Sequence, residues 1–201
     1  AIPVSVEDVP VLFYTLKRFD LKICFSVTDF IQVNAEVNER VVELVTDWLN
    51  PGNRDRVLDL FCGLGNFSLA LSRQSGEVVG VEGEAALVAR ATKNAAVNRI
   101  ANTRFEVLDL FDDSIAEWQP GQYSHVLLDP PRSGAIEALG VANTHIRPRK
   151  IAYVSCNPAT FARDARYLTD SGSYHLTRLG VADMFPHTSH VETVALFVRN
   201  G

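Results

Sequence analysis

Three short stretches hold side chains that could do chemistry. The first is Ser155-Cys156-Asn157-Pro158. The apolar run Ile151–Ser155 predicts a buried strand. Asn157 is a good helix N-cap, and Pro158 suits the first helical position. Cys156 therefore falls between a strand end and a helix start, where the positive end of the helix dipole favours the nucleophilic thiolate. Cysteine is also among the most buried residue types, so simple packing competes with reactivity while Cys156 is considered alone. The second stretch is Asp129-Pro130-Pro131-Arg132-Ser133-Gly134, after the apolar run Tyr123–Leu128. Asp129 could accept a hydrogen bond from a ring N–H or from a cofactor, and the prolines would stiffen a wall around a flat base. A rigid surface turn is the plainer alternative. The third is Asp183–Thr193, with His187, His190 and Glu192. Glu192, at the start of an apolar strand, is placed to be a base. A metal at these residues is disfavoured, because no fourth ligand or cysteine partner accompanies them. Structural hydrogen bonding is the expectation for the two histidines.

A fourth stretch, Asp59-Leu60-Phe61-Cys62-Gly63-Leu64-Gly65-Asn66-Phe67, follows a predicted strand and opens a helix. That is the context a nucleotide-binding glycine loop requires. Gly63 and Gly65 let the backbone pass close to a ligand. Ser68 stands where a dinucleotide fingerprint has its third glycine, and no P-loop lysine follows, which argues against a triphosphate. The next strand ends in Glu82, placed for both hydroxyls of a ribose. Asp109 ends the third strand, within reach of an adenine. Together these acids and the glycine turn point to a nucleoside cofactor, and S-adenosylmethionine fits better than a dinucleotide.

The elements that must position these residues are legible in the periodicity. Strands are predicted at Arg56–Phe61, Val78–Glu82, Arg104–Leu108, Tyr123–Leu128 and Ile151–Ser155, with two late runs at His175–Val181 and Val191–Val198. Helices are predicted at Phe67–Arg73, Glu84–Asn98 and Ala159–Ser171, with weaker turns near Asp112–Trp118 and Ala135–Leu139 and a loop at Val141–Lys150. Another helix follows Asn34 and stops at Asn50-Pro51-Gly52. The alternation predicts a parallel sheet covered on both faces, closed by an antiparallel hairpin. The fold class is therefore α/β, with a mostly parallel seven-stranded sheet. This arrangement resembles the class I, Rossmann-like, S-adenosylmethionine-dependent methyltransferase fold. Pro10–Leu16 and Leu21–Phe25 read as a hairpin, so residues 1–27 are expected to be a linking hairpin or the tail of an upstream domain, and 28–201 the catalytic domain.

With 47% hydrophobic and 21% charged residues, the chain is an ordinary soluble type. No apolar run is long enough to span a bilayer, and the start resembles no signal peptide. Cys24, Cys62 and Cys156 match no zinc pattern, so a reducing, cytoplasmic setting is expected. The lack of an initial Met suggests a processed or excised chain. The formal charge is −5, yet residues 126–178 hold seven Lys and Arg against four Asp and Glu. The expectation is a modest basic face around Cys156, able to meet phosphates.

Five motifs in order, Phe30-Ile31-Gln32-Val33-Asn34, Asp59–Phe67, Asp129–Arg132, Ser155–Pro158 and Asp183–Glu192, resemble the RNA uracil-5-methyltransferases. The Val81-Glu82-Gly83, Cys156–Thr160 and Asp183–Thr188 segments look most like the RumA/RlmD type, which acts on large-subunit ribosomal RNA. The resemblance implies Cys156 as nucleophile, Glu192 as base and Asp129 as the acid meeting uracil and cofactor. It implies Gln32, Phe61, Asn66, Glu82 and Asp109 around S-adenosylmethionine, beside Gly63 and Gly65, with Arg132 and Asn157 toward the RNA. It also implies a monomer and a catalytic-domain fragment. A TRAM domain and an iron–sulfur cluster would belong to an upstream part. Many amino-group methyltransferases carry an aromatic where this chain has Arg132, which argues against an amine acceptor. Two alternatives stand beside this reading: a methyltransferase for an exocyclic amine or protein side chain, and a non-catalytic RNA-binding module retaining the fold.

Overall fold

A computed structural model describes residues 12–184, 186–188 and 191–201. Two antiparallel strands come first, β1 (Leu12–Leu16) and β2 (Leu21–Phe25), then helix α1 (Ala35–Leu49). From β3 (Arg56–Leu60) the chain alternates: α2 (Asn66–Ser72), β4 (Glu77–Glu82), α3 (Ala85–Val97), β5 (Thr103–Val107), β6 (His125–Leu128), α4 (Ile136–Val141), β7 (Lys150–Ser155), α5 (Pro158–Asp170). Strands β8 (Tyr174–Ala182) and β9 (Glu192–Arg199) close it. The sheet order is β5-β4-β3-β6-β7-β9-β8, with β9 antiparallel to both its neighbours. The parallel sheet with its antiparallel closing hairpin is as the periodicity predicts, to within a residue or two at most element ends.

Strand periodicity sorts the core into two layers. Leu58, Leu60, Val126, Leu128 and Tyr153 face one side, with α4 and α5. Val57, Val78, Leu127, Ala152 and Val154 face the other, with α1, α2 and α3. Strands buried on both faces read as unbroken apolar runs, which is why periodicity found them so readily. The Val141–Lys150 segment departs from the expected loop. Residues Ala142–Ile146 form a π-helical turn closed by Arg147, which adopts a left-handed φ of 52°. Strand β8 is an edge, bulged between Leu176 and Arg178.

The β1–β2 hairpin packs on this framework through buried Leu16, Phe19, Leu21 and Ile23. Two asparagines, Asn94 on α3 and Asn98 at its C-cap, satisfy the outer backbone of β2. Asn98 exchanges a pair of 2.8 Å hydrogen bonds with the backbone of Lys22. Asn94, fully buried, accepts from Cys24 N–H at 2.9 Å and donates to Cys24 C=O and Leu64 C=O at 3.1 Å. Asn94 thus ties hairpin, helix and glycine loop together. Asn94→Ala orphans three backbone groups, two of them partly buried at Cys24 and one buried at Leu64. It should cost about 2–4 kcal/mol in urea denaturation, whereas a change within 0.5 kcal/mol would show the tie to be dispensable.

Candidate active site

Cys156 and Glu192 meet because β9 runs against β7. Ser155 pairs with Thr193 across the two strands, so the next residues outward at that edge are Cys156 and Glu192. Asp129 leaves β6 at the same edge, its N–H reaching Leu60 C=O at 3.3 Å. The carboxyl ends of the parallel strands and the amino end of β9 thus form one crevice, the usual ligand position in open α/β sheets.

The loops after β6 and β7 are stitched together by α5. Asn157 caps the helix, accepting from Ala159 N–H at 3.1 Å, with Pro158 opening it. Both the Asn157 amide and the Thr160 hydroxyl donate to Arg132 C=O, at 3.0 and 3.1 Å. Arg163 donates to Ser133 C=O at 3.0 Å. Asp164, fully buried, accepts from Ala135 N–H at 2.8 Å and from the Tyr153 hydroxyl at 2.6 Å. Its other oxygen pairs with Arg163 at 2.7 Å. Gly134 has a φ of +83°, and a Cβ there would lie 2.5 Å from the Arg163 guanidinium and 2.6 Å from the Asp164 carboxylate. Only glycine lets the loop sit this close. The polar ends of Asn157 are therefore spent on holding the loop rather than exposed to a substrate.

The glycine loop is built from left-handed residues. Phe61, Gly63 and Gly65 have φ of 65°, 51° and 87°. Gly65 caps α2, and a Cβ on Gly63 would meet nothing within 4 Å, leaving that face of the loop open. Glu82 fixes the turn, accepting from Gly63 N–H at 3.0 Å and Glu84 N–H at 3.2 Å. Asp109 is exposed beside Gly83, and one of its oxygens accepts from Phe111 N–H at 2.9 Å. Phe61 meets Phe111 at 5.4 Å between ring centroids. Asn66 is placed at this loop, but its amide pairs with Asn38 at 2.9 and 3.1 Å and accepts from Tyr14 at 2.9 Å. Its side chain anchors the loop from behind. Gln32 is half-buried, and its buried Oε1 has no partner.

The crevice is acceptor-rich. Asp59, fully buried, takes the Ser68 hydroxyl on one oxygen at 2.5 Å, and its other oxygen is unpartnered. Burial, and then the nearby Glu82, push its pKa up to about 7. Desolvation raises the Asp129 pKa well above the carboxylate range, helped by Glu192 and Asp59. Glu192, 4% exposed, is raised by burial. Two orphaned acceptors among crowded acids suit a ligand that is cationic and rich in N–H and O–H donors.

Two expectations need correction. The Cys156 thiol is raised, not lowered: burial, Glu192 and Asp129 outweigh the helix end and Arg132, the neighbouring cation that opposes them. The basic segment does not surround Cys156 either. Arg132 and Arg163 lie on its side, but Arg147 and Arg149 precede β7 and Lys150 opens it, so all three fall at the opposite edge of the sheet. Sequence reading also left Asp59, Phe111 and Asp164 without roles. Asp59 carried a signal, as a carboxylate inside the apolar run Val57–Leu60, whereas Asp164 looks like any polar residue of an amphipathic helix. His190 lies outside the described residues. Among the described residues, no three His, Cys, Asp or Glu side chains are grouped to hold a metal, and no helix is long and apolar enough to cross a membrane.

Asp59 gives a pH prediction. Its folded value, about 7, exceeds the ordinary 3.8, so the folded chain keeps a proton that the unfolded chain has lost. Its contribution to stability therefore falls as pH rises from about 4 to 7. Asp59→Asn should raise stability at pH 8 by up to about 4 kcal/mol, and by little at pH 4, in urea melts. An equal effect at both pH values would refute the assignment.

The tRNA (uracil-5-)-methyltransferase family model matches residues 15–200. The chain is 53% identical over 180 residues to the 23S rRNA (uracil(1939)-C(5))-methyltransferase RlmD of Aeromonas hydrophila, covering 89% of this chain and 40% of that protein. It is 51% identical over 196 residues to RlmD of Pseudomonas fluorescens, covering 97% and 43%. The chain thus spans about two fifths of the length of these curated relatives. Among solved structures, the Pyrococcus abyssi tRNA (uracil-54, C5)-methyltransferase in complex with S-adenosyl-L-homocysteine superposes with a TM-score of 0.80 at 29% identity, over 94% of this chain and 44% of that one. The sheet order and these matches are those of the class I methyltransferases, and the chain belongs to the tRNA (uracil-5-)-methyltransferase family.

Proposed function

We propose that the chain is the catalytic part of an enzyme that methylates C5 of a uridine in ribosomal RNA, using S-adenosylmethionine. The observation that carries this reading is the meeting of Cys156, Glu192 and Asp129 at one sheet edge beside the glycine loop. Its choice of RNA follows the relatives, which are named for 23S rRNA. Residues 28–201 carry the site, and the β1–β2 hairpin is docked on them.

S-adenosylmethionine would lie along Gln32, Phe61, Gly63, Gly65, Glu82 and Asp109, with its positive charge toward Asp59 and Asp129, and it supplies an electrophilic methyl group. Glu82 would hold the ribose hydroxyls and Asp109 the adenine. The residues of this chain do the rest. Uracil C5 is a poor nucleophile. Cys156 Sγ, once deprotonated, bonds to C6 of the uracil, and the electrons of the C5–C6 double bond move toward O4 as an enolate. A neutral Asp129 donates a hydrogen bond to the oxygen on which that charge collects, which its raised pKa allows. Once C5 carries the methyl group, the S–CH3 bond having broken to leave a neutral thioether, Glu192 would take the C5 proton. The electron pair re-forms C5–C6, and the thiolate leaves C6. The target base must be unstacked to reach Cys156, which favours a loop uridine. Arg132 lies where a phosphate of that loop can be held, while Asn157 and Asn66 position the two loops.

Cys156→Ala in the full-length enzyme should abolish tritium release from C5-labelled uridine in RNA and the covalent adduct with 5-fluorouridine RNA. Glu192→Gln should keep the adduct and lose the release. Undiminished release from Cys156→Ala would sink the nucleophile assignment. Glu82→Ala should weaken S-adenosylmethionine binding roughly 10- to 100-fold by calorimetry, and unchanged affinity would discard the ribose assignment.

A further inference from the structure

A groove of about 810 Å³ lies at the far edge of the sheet, at the amino ends of β3, β6 and β7 and the carboxyl end of β9. Five arginines line it, Arg54, Arg56, Arg147, Arg149 and Arg199, against one acid, Asp55. The chain as a whole carries a formal charge of −5, so this is a local reversal of sign. The scaffold already holds three of the five. Arg149 pairs with Asp55, Arg56 bonds Glu77 at 2.6 Å and lies 4.6 Å over the Tyr123 ring, and Arg199 donates to Arg147 C=O. Arg54 and Arg147 are exposed and make no ion pair among the described residues.

The backbone here is also specialised. Arg147 N–H closes the π-helical turn on Ala142 C=O at 2.8 Å, and Arg147 itself is left-handed. A left-handed non-glycine residue carries a local cost of about 1–3 kcal/mol, and π turns are frequent at functional sites. Arg147 lines the groove here beside Arg149.

We propose that this groove binds the phosphodiester backbone of an RNA segment remote from the modified nucleotide. Guanidinium forks match phosphate oxygens in pairs, and the array extends across four adjacent strands, roughly 15 Å, which suits an extended polyanion better than a single phosphate. The groove is about one strand length, roughly 20 Å, from Cys156, so an RNA reaching both must pass around the side of the sheet. A hairpin carrying only the target loop would not reach the groove. The choice of RNA as the polyanion rests on the reading of the chain as part of an RNA-modifying enzyme.

The test uses the full-length protein and its R54Q/R147Q variant, with two RNAs: the short target hairpin and a transcript of the surrounding ribosomal RNA domain. Affinities are measured by anisotropy from 50 to 200 mM salt. On the long transcript the variant should bind about tenfold more weakly at low salt, and its log–log salt slope should be shallower by about 1.4 to 1.8, the loss of two phosphate contacts. On the hairpin, affinity, 5-fluorouridine adduct formation and thermal midpoint should be unchanged. Unchanged affinity and slope on the long transcript would overturn the proposal, and this is also the outcome expected if the groove serves a protein surface. Equal weakening on both RNAs would overturn it too. Failure of the wild type to form the hairpin adduct would instead count against the methylation reading, and the long-transcript comparison would still decide the groove.

Discussion

The site depends on one buried carboxylate that never meets a substrate. Asp164 gathers the Tyr153 hydroxyl from β7, Ala135 N–H from the loop after β6 and Arg163 from its own helix. A carboxylate removed from water persists only if donors surround it, and here the donors belong to three different elements. The loop bearing Asp129 and the helix that starts after Cys156 are thereby one body. Gly134 permits the close approach, while Asn157, Thr160 and Arg163 repeat the attachment at Arg132 and Ser133. Chemistry that needs a nucleophile and an acid at a fixed separation gets it from this clamp, because neither loop can move without orphaning a buried charge.

The electrostatics of the crevice favour protonated groups. Asp59, Asp129, Glu192 and Cys156 are all raised by burial, and each but Glu192 is raised further by another acid of the cluster. Under the proposed function, a bound sulfonium would favour the Cys156 thiolate over the thiol by ordinary Coulomb attraction.

Much of this was legible in the residues. Apolar runs and caps predicted all seven strands of the main sheet, and Asn34 and Asn157 each cap a helix as expected. Cys156, Asp129, Glu192 and Glu82 were picked out by type and position, and they arrive at one edge because the parallel strands end there and antiparallel β9 begins there. Longer-range facts escaped. Whether Arg147 is near Cys156 depends on which end of β7 each occupies, so a charge count over a window of sequence mixed two opposite edges of the sheet. The Cys156 thiol was expected to be acidic from its helix alone, but Glu192, far along the chain, and desolvation reverse the sign. Asn66 sits in the glycine motif, yet its partners Asn38 and Tyr14 are set by tertiary packing.

Strand β8 closes the sheet and, among the described residues, has no neighbouring strand on its outer side, and Leu176, Leu179 and Val181 along it are exposed. Such an edge is a template for a foreign strand. The bulge between Leu176 and Arg178 breaks its regularity, Thr177 turns its hydroxyl back to Leu196 C=O at 3.0 Å, and Arg178 sits over Trp48. These features give the edge a kink and a charge where a continuous apolar ribbon would otherwise run. The consequence is colloidal rather than catalytic: flattening that bulge would turn a closing strand into a nucleus for self-association, so the irregularity in β8 protects the solubility of the whole sheet.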